Sequence, residues 1–135
     1  MLGFTIHIIE GLIRYYLEIS IPEATLAQKT QNLEWFELLL FGISLCIIVP
    51  FQEELIFRGL LFNRLTHSGL KPILSITMTS TLFALMHLDF NTASFVYLLM
   101  FSVIVTYVRY KTKNLYYCVA LHIQNNSLAF IAMII

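Results

Sequence analysis

Charge is what this sequence has least of. Only 12% of its 135 residues are charged while 59% are hydrophobic, and the mean hydropathy is +0.80. Soluble domains are about a quarter charged and half apolar, so the composition excludes an ordinary soluble domain. It points instead to an all-α, multi-pass bundle of transmembrane helices. Lys+Arg 8 and Asp+Glu 8 cancel to a net charge of zero, and no basic excess asks for a nucleic-acid partner. Cysteine is nearly absent. Cys46 and Cys118 sit inside separate apolar runs, where a thiol behaves as a small hydrophobe, and no spacing resembles a metal knuckle. The first twenty residues contain His7, Glu10, Arg14 and Glu18 and lack a basic start followed by a small-residue cleavage site, so they do not read as a signal peptide. There are no repeats and no low-complexity tracts.

What is present is a series of long apolar runs. Residues 1–34 read as an N-terminal segment and an extramembrane loop: an interfacial helix or a poor span to about residue 19, then a polar connection over 20–34. His7 and Glu10 stand one turn apart in that segment, a spacing read as the polar stripe of a surface helix. Residues 35–135 form the core, with helices expected at about 35–67, 71–88, 93–110 and 115–135. The first runs through Pro50 without a turn signal, so one long helix with a proline-weakened middle is expected. Ser75, Thr77, Thr79, Ser80 and Thr81 in the second are small side chains that let neighbouring backbones approach. Arg64 and Lys71 flank one loop, Arg109, Lys111 and Lys113 line another, and only Lys29 is basic on the opposite side. With one crossing per helix, both basic loops are expected on the cytoplasmic face of the cell membrane.

Against this background Glu53, Glu54 and Arg58 stand out. Each charge near the middle of a span costs roughly 2.5–3.5 kcal/mol on insertion scales, so three require compensation. Glu54 and Arg58 are four apart on one helical face and can pair, and the guanidinium keeps donors for a neighbouring carbonyl. Adjacent helical residues point about 100° apart, so Glu53 is not expected to share a partner with Glu54 and must look to another helix. Pro50 frees the carbonyl of Cys46, leaving polar backbone beside it. Other spans carry His87, one turn after Phe83, and His122 with Asn126 four residues on, Asn125 beside them. Counted at ~1.5 Å per residue from the expected cytoplasmic ends, His122 and Asn126 lie about 10–17 Å in and Glu53 and His87 about 21–24 Å in. Helix tilt, or a first helix extended by a turn, would bring them level.

Three chemistries remain open on these residues. A carboxylate and an imidazole can activate a water while an imidazole and an amide stabilise an oxyanion. Alternatively Glu53, His87 and His122 can hold a zinc ion with an open position for water. The plainest alternative is a helix-packing network with no chemistry, which accounts for the pair Glu54 and Arg58 but not for Glu53. A proton or ion pathway ranks lowest, because no chain of polar residues reaches both surfaces.

Glu53-Glu54-x-x-x-Arg58, Phe83-x-x-x-His87 and His122-x-x-x-Asn126, in that order over residues 50–126, resemble the three signature motifs of the CPBP intramembrane proteases. That family groups the CAAX prenyl endopeptidases with bacterial Abi and bacteriocin self-immunity proteins. The flank from Pro50 to Leu61 is similar to the bacterial members. The resemblance implies an endopeptidase in which Glu53 and His87 activate the attacking water, His122 and Asn126 stabilise the oxyanion, and Glu54 and Arg58 support the site. It leaves the use of zinc open. The substrate it implies is a peptide or protein near the membrane, with lipid as the protein's other partner. Because family members carry further spans ahead of the first motif, the resemblance makes this a minimal or truncated member. A non-catalytic bacteriocin self-immunity or membrane scaffold protein is the alternative function.

Overall fold

The computed structural model describes residues 30, 33–87 and 92–135. The segment carrying His7, Glu10 and Lys29, and the break at residues 88–91, lie outside the described residues. Four helices follow one another: α1 (Trp35–His67), α2 (Pro72–Met86), α3 (Thr92–Thr112) and α4 (Leu115–Ile134), and no strand occurs among the described residues. Their ends follow from local chemistry. Glu34 and Glu37 form a reciprocal capping box ahead of α1, in which the Glu34 backbone N–H donates to Glu37 Oε2 at 3.1 Å. At its far end Gly69 takes φ +86, which a side chain would strain. Pro72 starts α2, where a missing N–H costs nothing, and the Asn114 side chain accepts from Tyr116 N at 2.9 Å to start α4.

Helix α1 passes through Pro50 by changing its winding. Ser44–Ile48 and Leu55–Leu61 are π-helical, on either side of an α-helical piece at Val49–Glu54. Across the first of these the Val49 N–H reaches Ser44 O, five residues back. In that register the hydrogen missing at Pro50 falls to Leu45, not to Cys46 as α-helical counting suggests. The wider turn therefore moves the released carbonyl by one residue, which decides what it meets.

The interior is polar and the exterior apolar. Glu54, Arg58, Ser75, Thr79, Ser80, Ser102 and Thr106 are completely buried, whereas Leu39, Ile47, Phe51, Leu60, Met100 and Ile104 are exposed. This inversion suits a lipid solvent, in which close contact and hydrogen bonds, not hydrophobic burial, hold helices together. The pairings of α2 with α3 and of α1 with α4 are the most extensive. On α2, Ser75, Thr79 and Ser80 are buried, Ser80 against Thr106 of α3, while Thr77 faces outward and bonds its own helix at Ile73 O. Helix α4 runs antiparallel to α1, Leu115 lying near Gly59 and Phe130 near Gly42. A Cβ on Gly42 would sit 3.0 Å from Cε1 and Cζ of Phe130. Gly42→Ala is therefore expected to cost about 1 kcal/mol, since the ring end can swing aside. Denaturant titration in micelles will measure it, and Phe130→Leu in the same chain should recover most of the loss.

Three helices, α1, α3 and α4, are long and apolar enough to cross a membrane. With 15 residues, α2 rises only about 22 Å against a hydrocarbon core of about 30 Å.

Candidate active site

Helix α1 supplies both carboxylates. Glu54 Oε1 accepts from Arg58 Nη1 at 2.7 Å and from His122 Nδ1 at 2.8 Å. Its other oxygen, Oε2, is buried without a hydrogen-bond partner among the described residues. Arg58, also fully buried, spends its remaining donors on α3: Nε on Thr106 Oγ1 at 3.1 Å, and Nη2 on Ser102 Oγ at 2.6 Å and Ser102 O at 3.2 Å. Thr106 in turn donates to Ser102 O at 2.7 Å and accepts from Ser80 Oγ of α2 at 3.4 Å. The guanidinium lies 4.7 Å from the centre of the Phe83 ring. A planar cation with five donors is thus held by two helices and an aromatic face. The carbonyl partner expected from the sequence is Ser102 O. Ser80, Ser102 and Thr106 had no signal in spacing or charge that tied them to Arg58.

Glu53 does find its neighbours on other helices. Its Oε1 lies 3.5 Å from His87 Nε2 of α2, and its Oε2 lies 3.6 Å from His122 Nε2 of α4. The backbone carbonyl of Phe83 can only accept, so His87 Nδ1 donates to it at 2.8 Å. By the same reasoning His122 Nδ1 donates to Glu54, and in the neutral rings both Nε2 atoms turn a lone pair toward Glu53. Glu53 is 3% exposed and His122 4%, while the His87 side chain is 22% exposed. His87 is therefore the accessible member of the group. It caps the C-terminal end of α2, its N–H bonded to Ala84 O at 3.2 Å. Phe83 packs against everything: ring centroids lie 4.5 Å from His87, 5.8 Å from His122 and 5.1 Å from Phe57.

One expectation is corrected. Glu53 and Glu54 do share a partner, because His122 comes from a neighbouring helix and its imidazole has a nitrogen for each carboxylate. The 100° between their Cβ directions is bridged by the ring and by two long side chains. The set Glu53, His87 and His122 is the one named for a zinc ion in the alternative chemistry. Among the described residues no three His, Cys, Asp or Glu side chains form a group able to hold one; the Glu53 carboxylate itself stands between the two rings.

Asn126 is placed differently from the other three. Its Nδ2 donates to Leu45 O at 2.9 Å, the carbonyl released by Pro50, and its Oδ1 accepts from Asn125 Nδ2 at 3.4 Å. Asn125 Oδ1 accepts in turn from the hydroxyl of Tyr97 on α3. The structure thus gathers Glu53, Glu54, Arg58, His87 and His122 directly, and sets Asn126 one turn further along α4, tied to α1. An open apolar groove of about 530 Å³ between α1 and α4, lined by Trp35, Gly42, Ile47 and Phe130 among others, contains none of the carboxylates or imidazoles. It belongs to the lipid-facing exterior.

The depth offset between Glu53 and His87 and the residues of α4 also disappears. Arg109 near the end of α3 reaches Arg58 O at 3.4 Å and Asn63 Oδ1 at 3.1 Å. The last two turns of α1 therefore project beyond the α3–α4 connection, and α2 starts from that projecting end. Glu53 stands about 21 Å from His67, and His87 about 22 Å from Pro72.

A helical membrane bundle with a buried polar site is thus what fold and site define. The family model for type II CAAX prenyl endopeptidases, Rce1-like, matches residues 35–128. The chain belongs to that family, one of CAAX protease-like intramembrane endopeptidases. Searches of curated proteins and of solved structures returned no match.

Proposed function

We propose that this protein is an intramembrane endopeptidase that hydrolyses a peptide bond near the membrane surface, with Glu53 and His87 activating the water. The observation that carries the reading is the Glu53 carboxylate set between two imidazole Nε2 atoms, at 3.5 and 3.6 Å, inside a bundle whose outside is apolar. A water within about 2.8 Å of both Glu53 Oε1 and His87 Nε2 would bridge the two. Its oxygen attacks the carbonyl carbon while one proton passes to that pair, which returns it to the leaving amine as the C–N bond breaks. The tetrahedral oxyanion then needs donors. Asn126 has a second Nδ2 hydrogen beyond the one given to Leu45. His122 serves in its imidazolium form, with Nδ1–H on Glu54 and Nε2–H forward. Glu54 and Arg58 are positioning residues that hold the His122 ring in that orientation.

The basic residues support an orientation. The contacts of Arg109 with Arg58 and Asn63 put Arg64, Lys71, Lys111 and Lys113, in and beside the two connections, at one end of the bundle, and by the positive-inside rule that end faces the cytoplasm. The substrate is accordingly a membrane-anchored peptide presented from that side.

The test is cleavage of such a peptide by the purified protein in liposomes, with and without a strong chelator. Because the donors are not arranged for a metal, the rate is expected to change by less than about twofold after chelation, within assay scatter. A loss restored by added zinc would overturn the metal-free mechanism. No cleavage of any membrane-anchored peptide would overturn the endopeptidase reading itself.

A further inference from the structure

We propose that Tyr97 is a positioning residue: acting through Asn125, it fixes the carboxamide of Asn126 and so the direction in which Asn126 presents its second amide hydrogen. The inference rests on the reading of Asn126 as an oxyanion donor. The hydrogen bonds run in one sense across three helices. The Tyr97 hydroxyl on α3 donates to Asn125 Oδ1, Asn125 Nδ2 donates to Asn126 Oδ1 at 3.4 Å, and Asn126 Nδ2 donates to Leu45 O of α1 at 2.9 Å.

A carboxamide has one oxygen and two N–H groups. With the oxygen of Asn126 held by Asn125 and one hydrogen given to Leu45, the amide plane is set and the second hydrogen has one direction left. Turned over, the amide would bring its oxygen against the Leu45 carbonyl, acceptor against acceptor. Asn125 points about 100° away from Asn126 on α4 and by itself would rotate. Tyr97 prevents that rotation. Its own ring is fixed by stacking on Phe101, centroids 6.5 Å apart, and Phe101 meets the His122 ring edge-on at 5.4 Å. One face of α3 therefore braces both His122 and the pair of asparagines.

The experiment compares wild type, Tyr97→Phe, Asn126→Ala and the double variant in the liposome cleavage assay. Tyr97→Phe is expected to lower kcat about tenfold with KM changed less than about twofold, a smaller loss than the 10²–10³ typical of deleting a donor. In the Asn126→Ala background the same substitution is expected to change nothing further. Equal factors in both backgrounds, or a kcat for Tyr97→Phe within twofold of wild type, would overturn the proposal. A second readout does not need activity. In ¹⁵N-asparagine-labelled protein, Tyr97→Phe is expected to shift the side-chain amide resonances of Asn126, identified by their loss in Asn126→Ala, and to do so equally in a Glu53→Gln chain. Unmoved resonances would overturn the inference. Moved resonances in a wild type that cleaves nothing would uphold the hydrogen-bond chain and remove only the endopeptidase reading.

Discussion

Glu53→Gln is expected to lower peptide cleavage by about 10²–10⁴-fold, the range for loss of a general base, while leaving the helix content and the elution volume in micelles unchanged. Glutamine keeps the length and planarity of the side chain, so the packing between His87 and His122 survives. What changes is the proton inventory. A carboxylate accepts at both oxygens, whereas the amide offers one acceptor and two donors, and it has no basic site to take the proton from water. One of its N–H groups can satisfy an Nε2 lone pair, which is why the fold is not expected to suffer. Full activity in Glu53→Gln would reject the catalytic role.

Arg58→Met is expected to be the most destabilising single change in the chain, at about 3–5 kcal/mol. The guanidinium makes four bonds, to Glu54, Ser102 and Thr106, and it is fully buried, as is Glu54. Removing it strands a carboxylate in the interior with His122 alone as its partner, and leaves the Ser102 and Thr106 oxygens facing a thioether. The measurement is equilibrium unfolding in mixed micelles. The pairing argument makes a further demand: Glu54→Gln together with Arg58→Met should recover more than half of the lost stability, because no charge is then left unpaired. Activity should not return, since His122 has lost the carboxylate that receives its Nδ1–H. A loss below about 1 kcal/mol for Arg58→Met would mean that the buried pair holds little of the fold together, against the usual cost of an orphaned charge.

Much of the site was legible because lipid makes polar residues scarce. In a soluble protein Glu53, His87 and His122 would be lost among dozens of surface charges; here each has to be explained. The spacing of Glu54 and Arg58 foretold their ion pair, since four residues on a helix put side chains on one face. The need of Glu53 for partners on other helices followed from its having none on its own. What spacing cannot carry is geometry between helices. That His122 lies between both glutamates depends on the rotation of α4 against α1. That Arg58 is received by Ser102, Thr106 and Phe83 depends on α3 and α2 closing round it. Short hydroxyl residues are common in spans, and nothing distinguishes those that receive a guanidinium from those that, like Thr77, bond their own backbone.

By itself the sequence determined the solvent, the number of described helices and the few residues able to do chemistry, because apolar runs and isolated charges have free energies in lipid that depend on composition alone. Only the tertiary structure decided how those residues are used. A π-helical turn moved the carbonyl released by Pro50 from Cys46 to Leu45 and so drew Asn126 to α1. The projection of α1 past the α3–α4 connection brought His122 level with Glu53 and His87. Both depend on helix winding and on the height at which one helix packs against the next, and these are set jointly by contacts from several helices, not by any one segment.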